Sequence, residues 1–158
     1  MKSVIFSITT GDGTSSIELN RIVSFPIEAA ITTEVSYSQV GTAIANGNLF
    51  DGRILWMGGQ FLIKPEEYPV LMGLIRRQEL QRRNGDDFAI QFDNLLYPFI
   101  DPNSTRTRAI AAGTVTTNAD GTIQYYARHN VAIVKFSVDR NGSYYTASMD
   151  WQELELTP

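Results

Sequence analysis

Two glycine-closed turns in the last third of the chain cut a run of β-branched and aromatic residues into segments of strand length. Ala109 to Thr117 faces Thr122 to Arg128 across Asn118-Ala119-Asp120-Gly121. Val131 to Val138 faces Ser143 to Met149 across Asp139-Arg140-Asn141-Gly142. Asn, Asp and Gly adopt the backbone conformations that hairpin turns demand, whereas Val, Ile, Thr and Tyr suit a pleated, half-buried surface. The last strand is expected to run on through Trp151 to Leu156, with Trp151, Glu153 and Glu155 alternating against Gln152, Leu154 and Leu156. An antiparallel meander is therefore expected.

The first half shows the same grammar, less regularly. Val4 to Thr9 and Ser16 to Val23 read as a hairpin around Gly11-Asp12-Gly13, and Ile27 to Tyr37 as one half-buried strand. Gly41 to Gly47 has neither period and reads as a loop. Arg53 to Trp56 and Gln60 to Ile63 flank Gly58-Gly59, which predicts a tight hairpin or one strand broken by a bulge. Phe88 to Phe92 resumes period two, and Leu95 to Ile100, interrupted by Pro98, reads as an edge strand or loop. Pro102 to Arg108 is polar and reads as a surface connection.

One helix is expected. Pro65 suits its first position, Glu66 and Glu67 complement its positive start, Arg82 and Arg83 its negative end, and Asn84-Gly85 stops it; Pro69 then lies in the first turn. Tyr68, Leu71, Met72 and Ile75 recur at helical spacing and predict the face packed on a sheet. At 158 residues the chain is long enough for one core, so residues 1–158 are expected to form a single domain. The fold class expected is mostly β, an antiparallel β-sandwich or small barrel with one α-helix over about residues 65–84.

Composition narrows the chemistry. A formal charge of −4 disfavours an electrostatic nucleic-acid binder, and the absence of cysteine removes disulfides, thiol nucleophiles and thiolate metal sites. Met1 to Phe6 lacks the apolar stretch of a secretory signal and no segment has the length of a membrane span, so synthesis in a cytosol and no membrane span are expected.

The residues most able to carry chemistry have simpler readings. Asn118-x-Asp120-Gly121 imitates the middle of a calcium loop, but its outer positions fall on Thr116 and Ala127. Asp12, Asp51, Asp86, Asp87, Asp93 and Asp101 mostly adjoin Gly, Asn or Pro, where carboxylates accept local backbone bonds. His129, the only histidine, reads as a residue near a strand end, and Glu66 and Glu67 point about 100° apart on a helix. Arg76, Arg77, Arg82 and Arg83 read as a solvated helix end. Tyr125-Tyr126 and Tyr144-Tyr145 each place one ring inward and one outward. No nucleophile elbow, phosphate loop or zinc-protease motif is present. No catalytic, cofactor-binding or metal-ligating residue is assigned.

Gly59-Gln60-Phe61-Leu62-Ile63-Lys64-Pro65-Glu66-Glu67-Tyr68 leads into the helix, Asp87 to Phe92 follows it, and Trp151-Gln152-Glu153-Leu154-Glu155-Leu156 closes the final strand pair. This succession, over about residues 55–156, resembles tailed-bacteriophage tail and baseplate proteins of the distal-tail or baseplate-hub type. The resemblance implies a non-enzymatic virion structural protein without cofactors, made in the bacterial host cytoplasm and assembled into a ring or hub. Its implied partners are copies of itself and other tail or baseplate proteins. Gly41 to Leu49 and Pro102 to Arg108 are the contact loops first expected on that reading, since a ring subunit needs two complementary patches. The competing reading is a carbohydrate-binding β-sandwich with Trp56 and Trp151 as stacking platforms.

Overall fold

The computed structural model describes residues 3–25, 27–29, 34–37, 43–46 and 55–155. Its elements run β1 (Val4–Thr10), β2 (Gly13–Leu19), β3 (Ile22–Ser24), β4 (Ile27–Ala29), β5 (Glu34–Tyr37), β6 (Ala43–Asn46), β7 (Leu55–Ile63), α1 (Glu67–Asn84), β8 (Ile90–Asn94), β9 (Phe99–Asp101), β10 (Ala109–Thr117), β11 (Ile123–Asn141) and β12 (Tyr144–Glu155). Among the described residues ten strands form one sheet along the path β2-β1-β8-β11-β12-β7-β3, with β4 also on β7 and β9 and β10 also on β11. β5 and β6 pair separately. The fold is mostly β, with one helix.

The sheet is open, yet strongly curled. In a flat sheet β1 and β12 would lie three strand spacings apart, about 14 Å. The Phe6 ring on β1 nevertheless meets Trp151 on β12 edge-on with centroids 5.1 Å apart, and Phe25 after β3 stacks on Phe92 of β8 at 5.9 Å. The sheet thus folds over itself in a sandwich-like way around Val4, Phe6, Phe61, Ile63, Phe92, Met149 and Trp151, all fully or almost fully buried. Each such side chain contributes about 1.5–3 kcal/mol of burial before entropy is counted. The strand path does not close among the described residues, which removes the barrel alternative.

Helix α1 packs against β1 and β2, with Leu71 and Leu74 in the core and Tyr68 and Ile75 at its margin. It begins at Glu67, two residues after the expected start, because Pro65 and Glu66 form the turn that precedes it. The Glu67 carboxylate accepts a hydrogen bond from the Lys64 N–H at 3.0 Å. Gly85 ends the helix at φ +74°, and the Gly85 and Asp86 N–H groups donate to the carbonyls of Arg82 and Gln81.

β11 seats two partners end to end along each margin. β8 and β9 lie on one side, β12 and β10 on the other, because Arg128 pairs with both Asp93 and Ala109 while Val131 pairs with both Ile90 and Glu153. Register shifts fall at Val134 of β11 and Leu154 of β12, two apolar residues that are exposed.

Four local expectations are corrected. Gly58-Gly59 neither turns nor breaks the chain: β7 runs through both in unbroken register with β12, from Ile63↔Tyr145 to Trp56↔Gln152. Ile27 to Tyr37 divides into β4, paired with β7, and β5, paired with β6; residues 30–33 lie outside the described residues. Within the expected Gly41 to Leu49 loop, Ala43–Asn46 is strand, and the flanking residues lie outside the described ones. Pro102 to Arg108 is a connection, but it ends in a buried arginine.

Candidate functional site

The polar residues that sequence reasoning left unexplained converge where β9, β10, β11 and β12 meet. Strand alternation points Tyr125, Ala127, His129 and Val131 of β11 to the interior, and Trp151 and Glu153 of β12 with them. A buried ionisable group requires a charged or hydrogen-bonding partner. Glu153 has two: its carboxylate accepts the His129 Nδ1–H and both Nε–H and Nη2–H of Arg108, the latter two at 3.0 and 2.5 Å. All three residues are at most 3% exposed. The Arg108 guanidinium also lies over the Phe99 ring at 4.2 Å.

The network continues outward from Arg108. Its Nη1 donates to Thr107 Oγ1, whose own hydroxyl donates to Asp101 Oδ1 at 2.6 Å. Asp101 Oδ2 accepts from the Thr107 N–H and from the Tyr125 hydroxyl, and that hydroxyl accepts the Arg108 N–H. Burial, with the hydrogen bond to Asp101, pushes the Tyr125 phenol up to about 12. Burial also pushes Glu153 upward, but the bonds from His129 and Arg108 outweigh it and hold its carboxyl below the ordinary value.

This network fastens the start of β10 to the sheet and leaves the rest of that strand bare. From Ala112 to Thr117 every side chain of β10 is exposed, on both faces. β10 pairs only with β11 among the described residues, and its nine residues contain no charge and no proline. An edge of this kind presents a row of backbone donors and acceptors to a further strand.

Several sequence readings are revised here. His129 sits inside β11 rather than near a strand end, beside Phe92 and Phe99 and next to a cavity of about 220 Å³ that Tyr97 and Asn94 also line. Trp151 is wholly buried among Phe6, Phe61 and Phe92 and offers no stacking platform; the Trp56 side chain lies outside the described residues. Asp93 is ion-paired to Arg128 at 2.7 Å and Asp101 belongs to the network, so neither simply closes a turn. Asp87 and Asp120 do accept local backbone bonds, from Ala89 and Thr122, and the Thr122 hydroxyl and N–H hold Asp120 below its ordinary value. Asp51 lies outside the described residues.

The helix cations remain at the surface, with Arg82 paired to Glu79 at 2.7 Å. Tyr125 is buried and Tyr126 exposed, while Tyr145 packs on Tyr68 and Tyr144 is exposed beside Arg21. Among the described residues no three His, Asp or Glu side chains gather where a metal ion would sit. No described helix is long and apolar enough to cross a membrane.

Sequence reasoning missed the roles of Arg108 and Glu153 and read Asp101 only as a turn carboxylate. The available signal was parity: Glu153 falls on the inward side of the alternation that buries Trp151 and Met149. No protein-family model matches the chain, and no curated protein does.

Proposed function

We propose that the chain is a non-enzymatic structural subunit of a bacteriophage tail or baseplate, joined to copies of itself and to other tail proteins in a ring or hub. The succession of segments over about residues 55–156 supports the tail assignment. The observation that carries the assembly reading is β10, an uncharged strand exposed on both faces and fastened at its base by a buried ionic network. A monomer guards such an edge with Lys, Pro, a short strand or a bulge; β10 has neither charge nor proline, its ladder with β11 is irregular between Ile110 and Thr116 around Gly113 at φ +71°, and an assembling subunit uses such an edge for strand addition. The opposite margin of the sheet, β2, also pairs with one strand only among the described residues, giving the second, different patch that head-to-tail closure requires.

Light scattering after size exclusion, with electron microscopy of the large species, tests this reading. The wild-type chain is expected to give a ring of defined mass. Val115→Lys with Thr117→Lys is expected to give a monomer with an unchanged far-ultraviolet spectrum, because both positions are exposed. A wild type that stays monomeric at every concentration, or a double variant that assembles as before, overturns it.

A further inference from the structure

On the outer face of β7, β12 and β11, away from the aromatic core, lies a cleft of about 510 Å³. Register builds its lining in two cross-strand rows. Gln60, Ser148 and Ser137 form one, and Gly58, Asp150 and Lys135 the other, with Ser24 at the rim. None of these six polar side chains makes a hydrogen bond or ion pair with another described residue, although Lys135 and Asp150 stand opposite each other in the register. Donors and acceptors are thus set out at about 4.8 Å across strands and about 7 Å along them, the span of a sugar ring.

The glycine pair separates packing from vacancy. A side chain at Gly59 would meet the Phe61 ring at 2.8 Å and the Ser24 carbonyl at 3.2 Å, so the core requires that glycine. At Gly58 the only close atom is the movable Asp150 carboxylate at 2.6 Å; the next, the Met149 carbonyl, is 3.4 Å away. No core contact demands a glycine there. Glycine inside a strand weakens it and marks a place where something approaches the backbone closely. Its effect here is to leave the cleft floor bare between Asp150 and Gln60.

We infer that this cleft binds a neutral saccharide, its hydroxyls bridging Asp150, Lys135, Gln60 and the paired serines over the floor at Gly58. The lining selects this class. Asp150 cancels Lys135 as a site for an anion, a single carboxylate is too few for a divalent cation, and Met149, the one apolar side chain among the lining residues, is buried in the core and leaves nothing for a greasy ligand. Alternating hydroxyl, amide, ammonium and carboxylate groups match a ligand that donates and accepts at every ring position. Hydrogen bonds exchanged with water yield little net energy, so the expected affinity is about millimolar.

Ligand-observed saturation-transfer NMR on the full chain tests the inference, and its signal does not depend on the state of assembly. The probes are maltotriose, cellotriose and chitotriose, each to about 50 mM, well beyond the expected affinity. Inorganic phosphate and glycine, followed by protein-observed shifts of Gly58 and Ser148, represent the rival ligand classes. At least one trisaccharide is expected to give transfer. Asp150→Ala and Gln60→Ala, both at exposed positions, are expected to weaken binding about tenfold each, consistent with one lost hydrogen bond. Tyr126→Ala, outside the cleft, is expected to leave it unchanged. Transfer from none of the three sugars overturns the inference, as do equal affinities in the cleft variants, loss of binding in Tyr126→Ala, or a response to phosphate or glycine alone.

Discussion

Glu153 sits one strand step beyond Trp151, at a position where alternation leaves no route to solvent, and its ionised form is tolerated because two partners arrive from elsewhere in the chain. Arg108 comes from 45 residues upstream and His129 from 24. Removing one member of such a buried set leaves the others uncompensated, so Glu153→Ala is expected to cost about 3–5 kcal/mol at neutral pH in urea unfolding. The folded carboxyl lies below its ordinary value, so the stabilisation is complete above the unfolded value near pH 4.3 and is lost as pH falls through the lower folded value. The wild-type advantage over Glu153→Ala should therefore shrink once the pH drops below about 4. An advantage that stays constant down to about pH 2 would contradict a native ionised Glu153.

At the scale of elements, Gln78 makes the helix a surrogate strand. β8 stops pairing with β11 at Val131, and at Ile133 the Gln78 amide takes its place, donating Nε2–H to the Ile133 carbonyl at 3.0 Å and accepting the Ile133 N–H at 2.9 Å. Gln78→Ala leaves two buried backbone groups unpaired, at about 1–3 kcal/mol each. Hydrogen exchange at the Ile133 amide should accelerate accordingly, and an unchanged rate would show that the ladder needs no helix. The helix was legible because its start, its glycine stop and the Tyr68, Leu71, Met72, Ile75 stripe are all local signals, although the core takes Leu74 in place of Met72. Gln78 was not, since it looks like any solvent-facing glutamine until β8 is known to end short of it. The same reason hid the continuity of β7: a strand with two adjacent glycines has no local strand signal and is held by the register of β12. Arg108 closes a polar, proline-led stretch that reads as surface, and only Glu153 makes it interior. The pairings across Gly121 and Gly142 were legible because turn residues and flanking strands are neighbours in sequence, but Asp139, Arg140 and Asn141, read as turn, pair with Thr146, Tyr145 and Tyr144, and the segments read as Thr122 to Arg128 and Val131 to Val138 merge, from Ile123 on, into one strand, β11.

Among the described residues the molecule has two apolar clusters of unequal size threaded by one strand. The large one joins β1, β2, β7, β8, β12 and α1; the small one comprises Ile123, Tyr125 and Ala127 with Phe99 and Ile110. β11 runs through both, and the Asp101–Arg108–Glu153 network spans the seam between them. With so little apolar area of its own, the small cluster should open below the free energy of global unfolding, a pattern native-state hydrogen exchange resolves. Ile63→Val, in the large cluster, is expected to lower the opening free energy of amides such as those of Phe92 and Trp151 by about 0.5–1.5 kcal/mol while leaving Tyr125 and Ala127 unchanged. Asp101→Asn, in the small one, should lower both sets together, because global unfolding includes the local step whereas the reverse does not hold. If Ile63→Val shifts Tyr125 and Ala127 as much as Trp151, the clusters unfold as one unit. The base of β10 would then be as firm as the core, and strand addition at its edge would proceed on a rigid template instead of one that opens independently.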